Sequence, residues 1–158
     1  MTRSIIVAMS PERVIGLLGT IPWHYRGDMQ RFKRLTTGAT IVMGRLTWES
    51  LPKKPLPNRR NIVITRTNID GVDCFPTIAD ALATTTGDVW FIGGARIYEE
   101  AMMHADVLDI TYVPDVVDHP EAVKFPAIDE GAWTAGPRIP HEDEPTLERQ
   151  ELVRATRA

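Results

Sequence analysis

The stretch Asp88-Val89-Trp90-Phe91-Ile92-Gly93-Gly94-Ala95-Arg96-Ile97-Tyr98 changes its hydrophobic period halfway along. Its first part is a short, continuous apolar run, the pattern of a strand buried on both faces. Two glycines stop it. Beyond them Ile97, Tyr98, Ala101, Met102 and Ala105 share one stripe at the helical spacing. Strand, glycine turn and amphipathic helix in succession make one unit of an α/β sheet.

The same order recurs on either side. Ser4 to Met9 and Thr40 to Met43 are β-branched runs that read as buried strands. Gly44 to Leu51 reads as a turn opening a short helix, which Pro52 stops. Asn61 to Thr65 and Asp73 to Phe75 are further strands. Thr77 and Asp80 resemble a capping box, opening a helix with Ile78, Ala81 and Leu82 turned inward. Val107 to Val113 is another strand, and two more lie near Trp133 and over Leu147 to Val153 with no helix between them. Between these, Val14 to Gly19 reads as an irregular apolar loop and Pro114 to Lys124 as an acidic loop. The alternation predicts a single α/β domain over 1–158, with a central, mostly parallel mixed sheet of about eight strands, an antiparallel C-terminal edge and about four flanking helices.

The single cysteine, Cys74, excludes an internal disulfide framework and a thiolate zinc cluster. It fits a reducing cytosol, with Cys74 a buried, inert thiol. No apolar run reaches a membrane span, and the run after Arg3 is too short for a signal peptide. The expected location is cytoplasmic. Charge is unevenly spread: Glu12 to Arg66 holds eleven Lys or Arg against three acids, and residues 67–158 hold six against eighteen. That segregation suits a cleft for small anions, whereas the acidic half would repel nucleic acid.

Two junctions could hold an anion: Gly44 with Arg45 and Thr47, and Gly93-Gly94 with Ala95 and Arg96. Each puts glycine where a helix starts, leaving backbone N–H groups free beside an arginine. Neither matches a Walker loop or a Gly-x-Gly-x-x-Gly fingerprint. Arg45 and Arg66 follow strand ends where a 2′-phosphate could pair with guanidinium groups, and Arg59 and Arg60 could clamp a carboxylate. His24, His104, His119 and His141 are scattered without ligand spacing, so no metal site is expected. With no nucleophile motif either, the pattern favours chemistry carried by a cofactor, such as hydride transfer.

One carboxylate is out of place. Met29, Phe32 and Leu35 form the apolar stripe of a helix ending near Gly38, and Asp28 falls on the same face. It could simply complement the helix dipole in the first turn, or serve as a functional carboxylate in an apolar setting.

The chain resembles bacterial dihydrofolate reductase over essentially its whole length. The resemblance rests on Ala8 to Gly16, Ile21-Pro22-Trp23, Asp28 with Phe32-Lys33, Val42 to Ser50, Pro55 to Asn61, Ile92 to Tyr98 and Thr111. It implies reduction of dihydrofolate to tetrahydrofolate by hydride transfer from NADPH to pterin C6, with protonation at N5. It also implies Asp28 as the pterin carboxylate, Thr111 as its supporting hydroxyl and Trp23 as the residue that closes the site and holds a water. Ile6, Ala8, Met29, Phe32 and Ile92 would line the substrate pocket, Leu51 and Leu56 its outer wall, and Arg59 would take the glutamate tail. Arg45, Thr47, Thr65 and Arg66 would surround the adenosine side of NADPH. Gly44, Gly93, Gly94, Ala95, Arg96 and Ile97 belong to the pyrophosphate side, with the Gly93–Gly94 bond cis. Ala8, Ile15, Gly19, Thr20 and Tyr98 would approach the nicotinamide. The partners implied are dihydrofolate and antifolate-type molecules, and the state a monomer.

The sequence departs from the family at His24-Tyr25-Arg26 and at Pro52-Lys53-Lys54. The loop after Val113 also lacks the Gly-Asp pair that fastens the mobile loop near Ile21 in well-studied relatives. Two rivals share parts of this pattern: a related pterin or pyrimidine reductase, and a non-catalytic nucleotide- or folate-binding protein.

Overall fold

The computed structural model describes residues 1–155. In chain order the elements are β1 (Arg3–Met9), β2 (Val14–Leu17), α1 (Arg26–Thr36), β3 (Thr40–Gly44), α2 (Arg45–Ser50), β4 (Arg60–Ile64), β5 (Asp73–Phe75), α3 (Ile78–Leu82), β6 (Val89–Gly93), α4 (Ala95–Ala101), β7 (Val107–Tyr112), β8 (Ala122–Lys124), β9 (Trp133–Ala135), β10 (Ile139–Pro140) and β11 (Glu148–Arg154). The main sheet runs β5-β4-β3-β6-β1-β7-β11-β10, with β9 also paired to β11. From β5 through β7 every neighbour is parallel, and β11 returns antiparallel along β7.

The expected mixed sheet with its antiparallel edge is therefore present. The β3-to-β4 connection moves toward one edge and the β6-to-β7 connection toward the other. Loops part at the carboxyl ends of the strands between them, where open α/β sheets form their ligand crevice.

Side chains alternate across the sheet and divide the core in two. Ile5, Val7 and Met9 pack with Val42, Ile62, Phe91 and the inner faces of α3 and α4. On the opposite face Ile41, Met43 and Val63 pack with Trp48 of α2, joined by Leu51, Leu56 and Ile92. Ile6 and Ala8 point to this second side. Thr77 caps α3 as expected, its hydroxyl accepting from Asp80 N at 3.1 Å, and Ile78, Ala81 and Leu82 are buried.

Several expectations need correction. Val14–Leu17 is a strand, pairing antiparallel with Ala122–Lys124 inside the acidic loop. Backbone pairing of two short segments distant in sequence overrides their weak local pattern. Helix α4 ends at Ala101, so Ala105 is buried beyond it. Cys74 is half-buried, with its sulfur 3.7 Å from Val72 O.

The apolar stripe of α1 is not its core face. Gly27, Arg31 and Thr36 are buried, while Met29 is 53% exposed. Helix α1 is held down instead by polar anchors, which leaves Phe32 and Leu35 of the stripe only half-buried.

Candidate active site

Strand β7 supplies two polar residues on one face, Asp109 and Thr111, level with Ile6 and Ala8 of β1. Two strand residues advance about 6.6 Å and three helix residues about 4.5 Å, so a helix laid antiparallel can meet both with one turn. Helix α1 does so. Asp28 Oδ1 accepts from the Thr111 hydroxyl at 2.9 Å, and Arg31 holds Asp109 through bonds of 2.8 and 2.7 Å. The carboxylate and hydroxyl expected to work together are therefore in contact.

Around Asp28 the sheet is incompletely covered. Ile6, Ala8 and Ile92 are only half-buried, although their strand neighbours are sealed, and Phe32 is half-buried on α1. These partly open apolar side chains form an apolar surface with one carboxylate beside it, whose side chain keeps 25% of its surface open. Small-molecule sites typically combine such apolar walls with few polar groups. Leu51 and Leu56 stand beside it, packed on the second core. Trp23 is half-buried just before α1, and Met29 is the most open of the expected lining residues.

Arg59 lies near the far end of α1, donating to the Thr36 hydroxyl at 3.1 Å and to Pro57 O at 2.9 Å. Burial lowers its pKa from the ordinary arginine value. Arg60 does not join it; its side chain turns to Asp73 and to Thr84 O. A two-arginine clamp is thus excluded.

The two glycine junctions lie side by side because β3 and β6 are neighbours. A Cβ on Gly44 would stand 3.2 Å from Ile97 Cγ1 and 3.9 Å from Gly94 N, so the absence of one lets the two turns close together. The Gly93–Gly94 bond is cis, and Gly93 has a φ of 119°, a region that favours glycine. Neither α2 nor α4 has a side-chain cap. Thr47 Oγ1 is the atom nearest a hypothetical Cβ of Gly94, at 3.7 Å, while Arg96 beside Ala95 is exposed.

Arg45 pairs with Glu49 at 3.1 Å on the exposed side of α2. Thr65 and Arg66 line an open pocket with Thr67, Asn68, Cys74 and Pro76. Ile97 and Tyr98 are buried. The Tyr98 hydroxyl donates to Ile6 O at 2.9 Å, and burial raises its pKa.

Ile15 is half-buried on β2, while Gly19 and Thr20 are exposed in the turn that follows. Leu17 and Thr20 exchange backbone bonds of 2.8 and 3.0 Å, and Leu18 and Gly19 both have positive φ. That is the pattern of a type I′ turn. The loop lacking the Gly-Asp pair is joined to this segment by the β2–β8 ladder, extended by a Phe125 N to Arg13 O bond of 2.8 Å. Tyr25 adds a second tie, donating its hydroxyl to Asp115. That bond to a carboxylate, with burial, pushes Tyr25 up to about 12.

His141 was not anticipated at the site. It is buried, with Nε2 3.0 Å from Asp28 Oδ1. The one local signal was turn chemistry: Pro140-His141-Glu142-Asp143-Glu144-Pro145 reads as a tight polar connection, a place where a side chain can bond its own backbone.

An open parallel sheet with a ligand crevice at its strand ends defines an α/β protein built around a small-molecule site. A family model described as dihydrofolate reductase matches residues 2–155. Dihydrofolate reductase of Staphylococcus aureus is 44% identical over 116 residues, 72% of each chain. The Buchnera aphidicola enzyme is 42% identical over 117 residues, 72% of this chain and 73% of its own. A solved structure of Enterococcus faecalis dihydrofolate reductase complexed with NADP(H) and RAB-propyl superposes with a TM-score of 0.84 at 28% identity, covering 98% of this chain and 97% of its own. The chain belongs to the dihydrofolate reductase family.

Proposed function

We propose that the protein reduces 7,8-dihydrofolate to 5,6,7,8-tetrahydrofolate with NADPH, acting as a cytoplasmic monomer. The observation that carries this is Asp28, tied to Thr111 at 2.9 Å beside half-buried apolar side chains. In this reading its carboxylate accepts from the 2-amino group and N3 of the pterin. Family membership and the Enterococcus faecalis complex with NADP(H) support the cofactor.

The residues present fit an anionic dinucleotide. Two adjacent helix starts lack side-chain caps, and Thr47, Arg45, Arg96, Thr65 and Arg66 stand near them or along the neighbouring strand end. Uncapped N–H groups and guanidinium groups are the donors phosphates require. When bound, NADPH supplies the hydride that reduces pterin C6.

The chain's own work is orientation and exclusion of water. Ile6, Ala8, Phe32 and Ile92 hold the ring on the sheet, with Trp23 and the Gly19–Thr20 turn closing over it. Arg59 takes the carboxylate of the glutamate tail. Asp28 fixes the ring, and water brings the proton to N5.

The test is loss of NADPH absorbance with dihydrofolate, run with the parent protein and Asp28→Asn. The variant is expected to stay folded and to lose about 10²-fold or more in kcat at neutral pH. Near-parental turnover in that variant would remove the anchor role. NADPH binding without turnover by the parent would make the protein a binding module. Equal kcat/KM for NADPH and NADH would remove the 2′-phosphate role of Arg45 and Arg66.

A further inference from the structure

His141 follows β10 directly, and its side chain has no solvent exposure. Its Nδ1 accepts two backbone N–H groups, from Asp143 at 3.0 Å and Glu144 at 3.1 Å. A ring nitrogen that accepts carries no proton, so these bonds assign a neutral ring with its hydrogen on Nε2. Nε2 stands 3.0 Å from Asp28 Oδ1, and the bond therefore runs from His141 to the carboxylate. Thr111 donates to the same oxygen at 2.9 Å. Among the described residues no side chain or backbone group donates to Oδ2, and the Asp28 side chain keeps 25% of its surface open.

The terminal torsion of an aspartate is broad and roughly two-fold, so a single donor leaves the carboxylate plane poorly fixed. Two donors from separate elements, β7 and the loop after β10, fix it. The loop is itself held in place. Glu142 bonds Arg31 and Arg149, Asp143 bonds Arg34, Glu144 accepts from Gly27 N, and His141 N reaches Leu147 O at 2.9 Å.

We infer that His141 is a positioning residue for the reaction: its Nε2–H is the second donor that fixes the Asp28 carboxylate and leaves Oδ2 aimed at the substrate. This inference rests on Asp28 being the pterin anchor.

Two substitutions separate the two ends of the ring. In His141→Asn the side-chain oxygen can still accept from Asp143 N and Glu144 N as an Asx turn, but the side chain is too short to reach Asp28. In His141→Gln an amide N–H can reach Asp28 while the turn loses its acceptor. If His141 positions Asp28, His141→Asn keeps a near-parental Tm yet loses about tenfold or more in kcat, since small misplacement of a reacting pair is heavily penalised. KM for dihydrofolate rises with it, and KM for NADPH stays unchanged. His141→Gln shows the reverse pattern, a lower Tm with kcat partly recovered over His141→Asn.

Parental kcat and dihydrofolate KM in His141→Asn would overturn the inference, as would a better kcat in His141→Asn than in His141→Gln. Asp28→Asn run alongside tells the two failures apart. If Asp28→Asn is inactive and His141→Asn is parental, only the positioning role falls. If both are active, the anchor reading falls and takes this one with it. The parent protein gives an independent check. Its ¹⁵N-histidine spectrum should show the His141 hydrogen on Nε2, and a ring that carries it on Nδ1 alone would overturn the inference without any variant.

Discussion

Arg31 grips Asp109 with two parallel hydrogen bonds of 2.8 and 2.7 Å, and the two side chains keep only 4% and 10% of their surface. The pair lies one helical turn from Asp28 and two strand residues from Thr111, so it sets the level at which α1 crosses β7. Burial disfavours the Arg31 charge, yet Asp109 and Glu142 outweigh it and raise its pKa above the ordinary arginine value. Breaking a buried pair strands the remaining charge, and Arg31→Met should cost roughly 3–5 kcal/mol in chemical denaturation. Arg31→Met with Asp109→Leu removes both charges and should recover most of that loss. A double variant no more stable than the single one would show that the pair does not act as a unit.

Gly27 brings the backbone of α1 against the loop carrying His141, with no room for a side chain between them. A Cβ built there would stand 2.1 Å from Asp143 O and 2.7 Å from Asp143 C, both backbone atoms. Gly27→Ala must therefore push the loop away, with an overpacking penalty of about 1–3 kcal/mol. Calorimetry should show a lowered Tm. The loop's displacement should also reduce kcat at temperatures where the variant is still fully folded. Unchanged kcat there would mean that the loop can shift without disturbing Asp28.

What the sequence reveals and conceals follows from the range of each interaction. The sheet was legible because Thr40–Gly44 and Val89–Gly93 carry short apolar runs closed by glycine, a signal complete within each segment. Asp28 stood out because a carboxylate on an apolar stripe breaks the local pattern. The same stripe misled about packing: amphipathicity marks a face that avoids water but not whether protein or cleft covers it. His141 lies 113 residues from Asp28, and nothing near either residue encodes the pairing. The β2–β8 ladder was hidden for a related reason: Val123 is 43% exposed, so no apolar alternation marked its strand.

That ladder bears on catalysis. It pairs Val14, Gly16 and Leu17 with Lys124, Val123 and Ala122, holding the segment that leads into the Gly19–Thr20 turn. Proline disrupts a strand ladder, and Val123→Pro acts on a partly exposed pair outside the main sheet. The expectation is a small change in Tm with faster hydrogen exchange at Val14 to Leu17. Because loop closure gates many turnover numbers, kcat should change more than stability does. Unaltered exchange at those amides would mean that the Tyr25–Asp115 bond holds the loop on its own.

Glu142 predicts how the site fails in acid. Burial alone would raise its pKa, but hydrogen bonds from Arg149, its own backbone N–H and Arg31 bring it down from 4.5 to about 2. It accepts from Arg31 Nε at 2.5 Å and from Arg149 Nε at 2.6 Å, joining α1 and β11 to the His141 loop. A carboxylate whose folded pKa lies below its unfolded value binds fewer protons when folded, so its stabilisation is complete above the unfolded pKa. Here the stabilisation is present above about pH 4.5 and is lost as pH falls toward about 2. Glu142→Gln cannot titrate. Its Tm should lie below the parent's at neutral pH, and the gap should narrow steadily through that window. A gap that persists to the acid end would place the stabilisation in the shape of the loop rather than in the charge on Glu142.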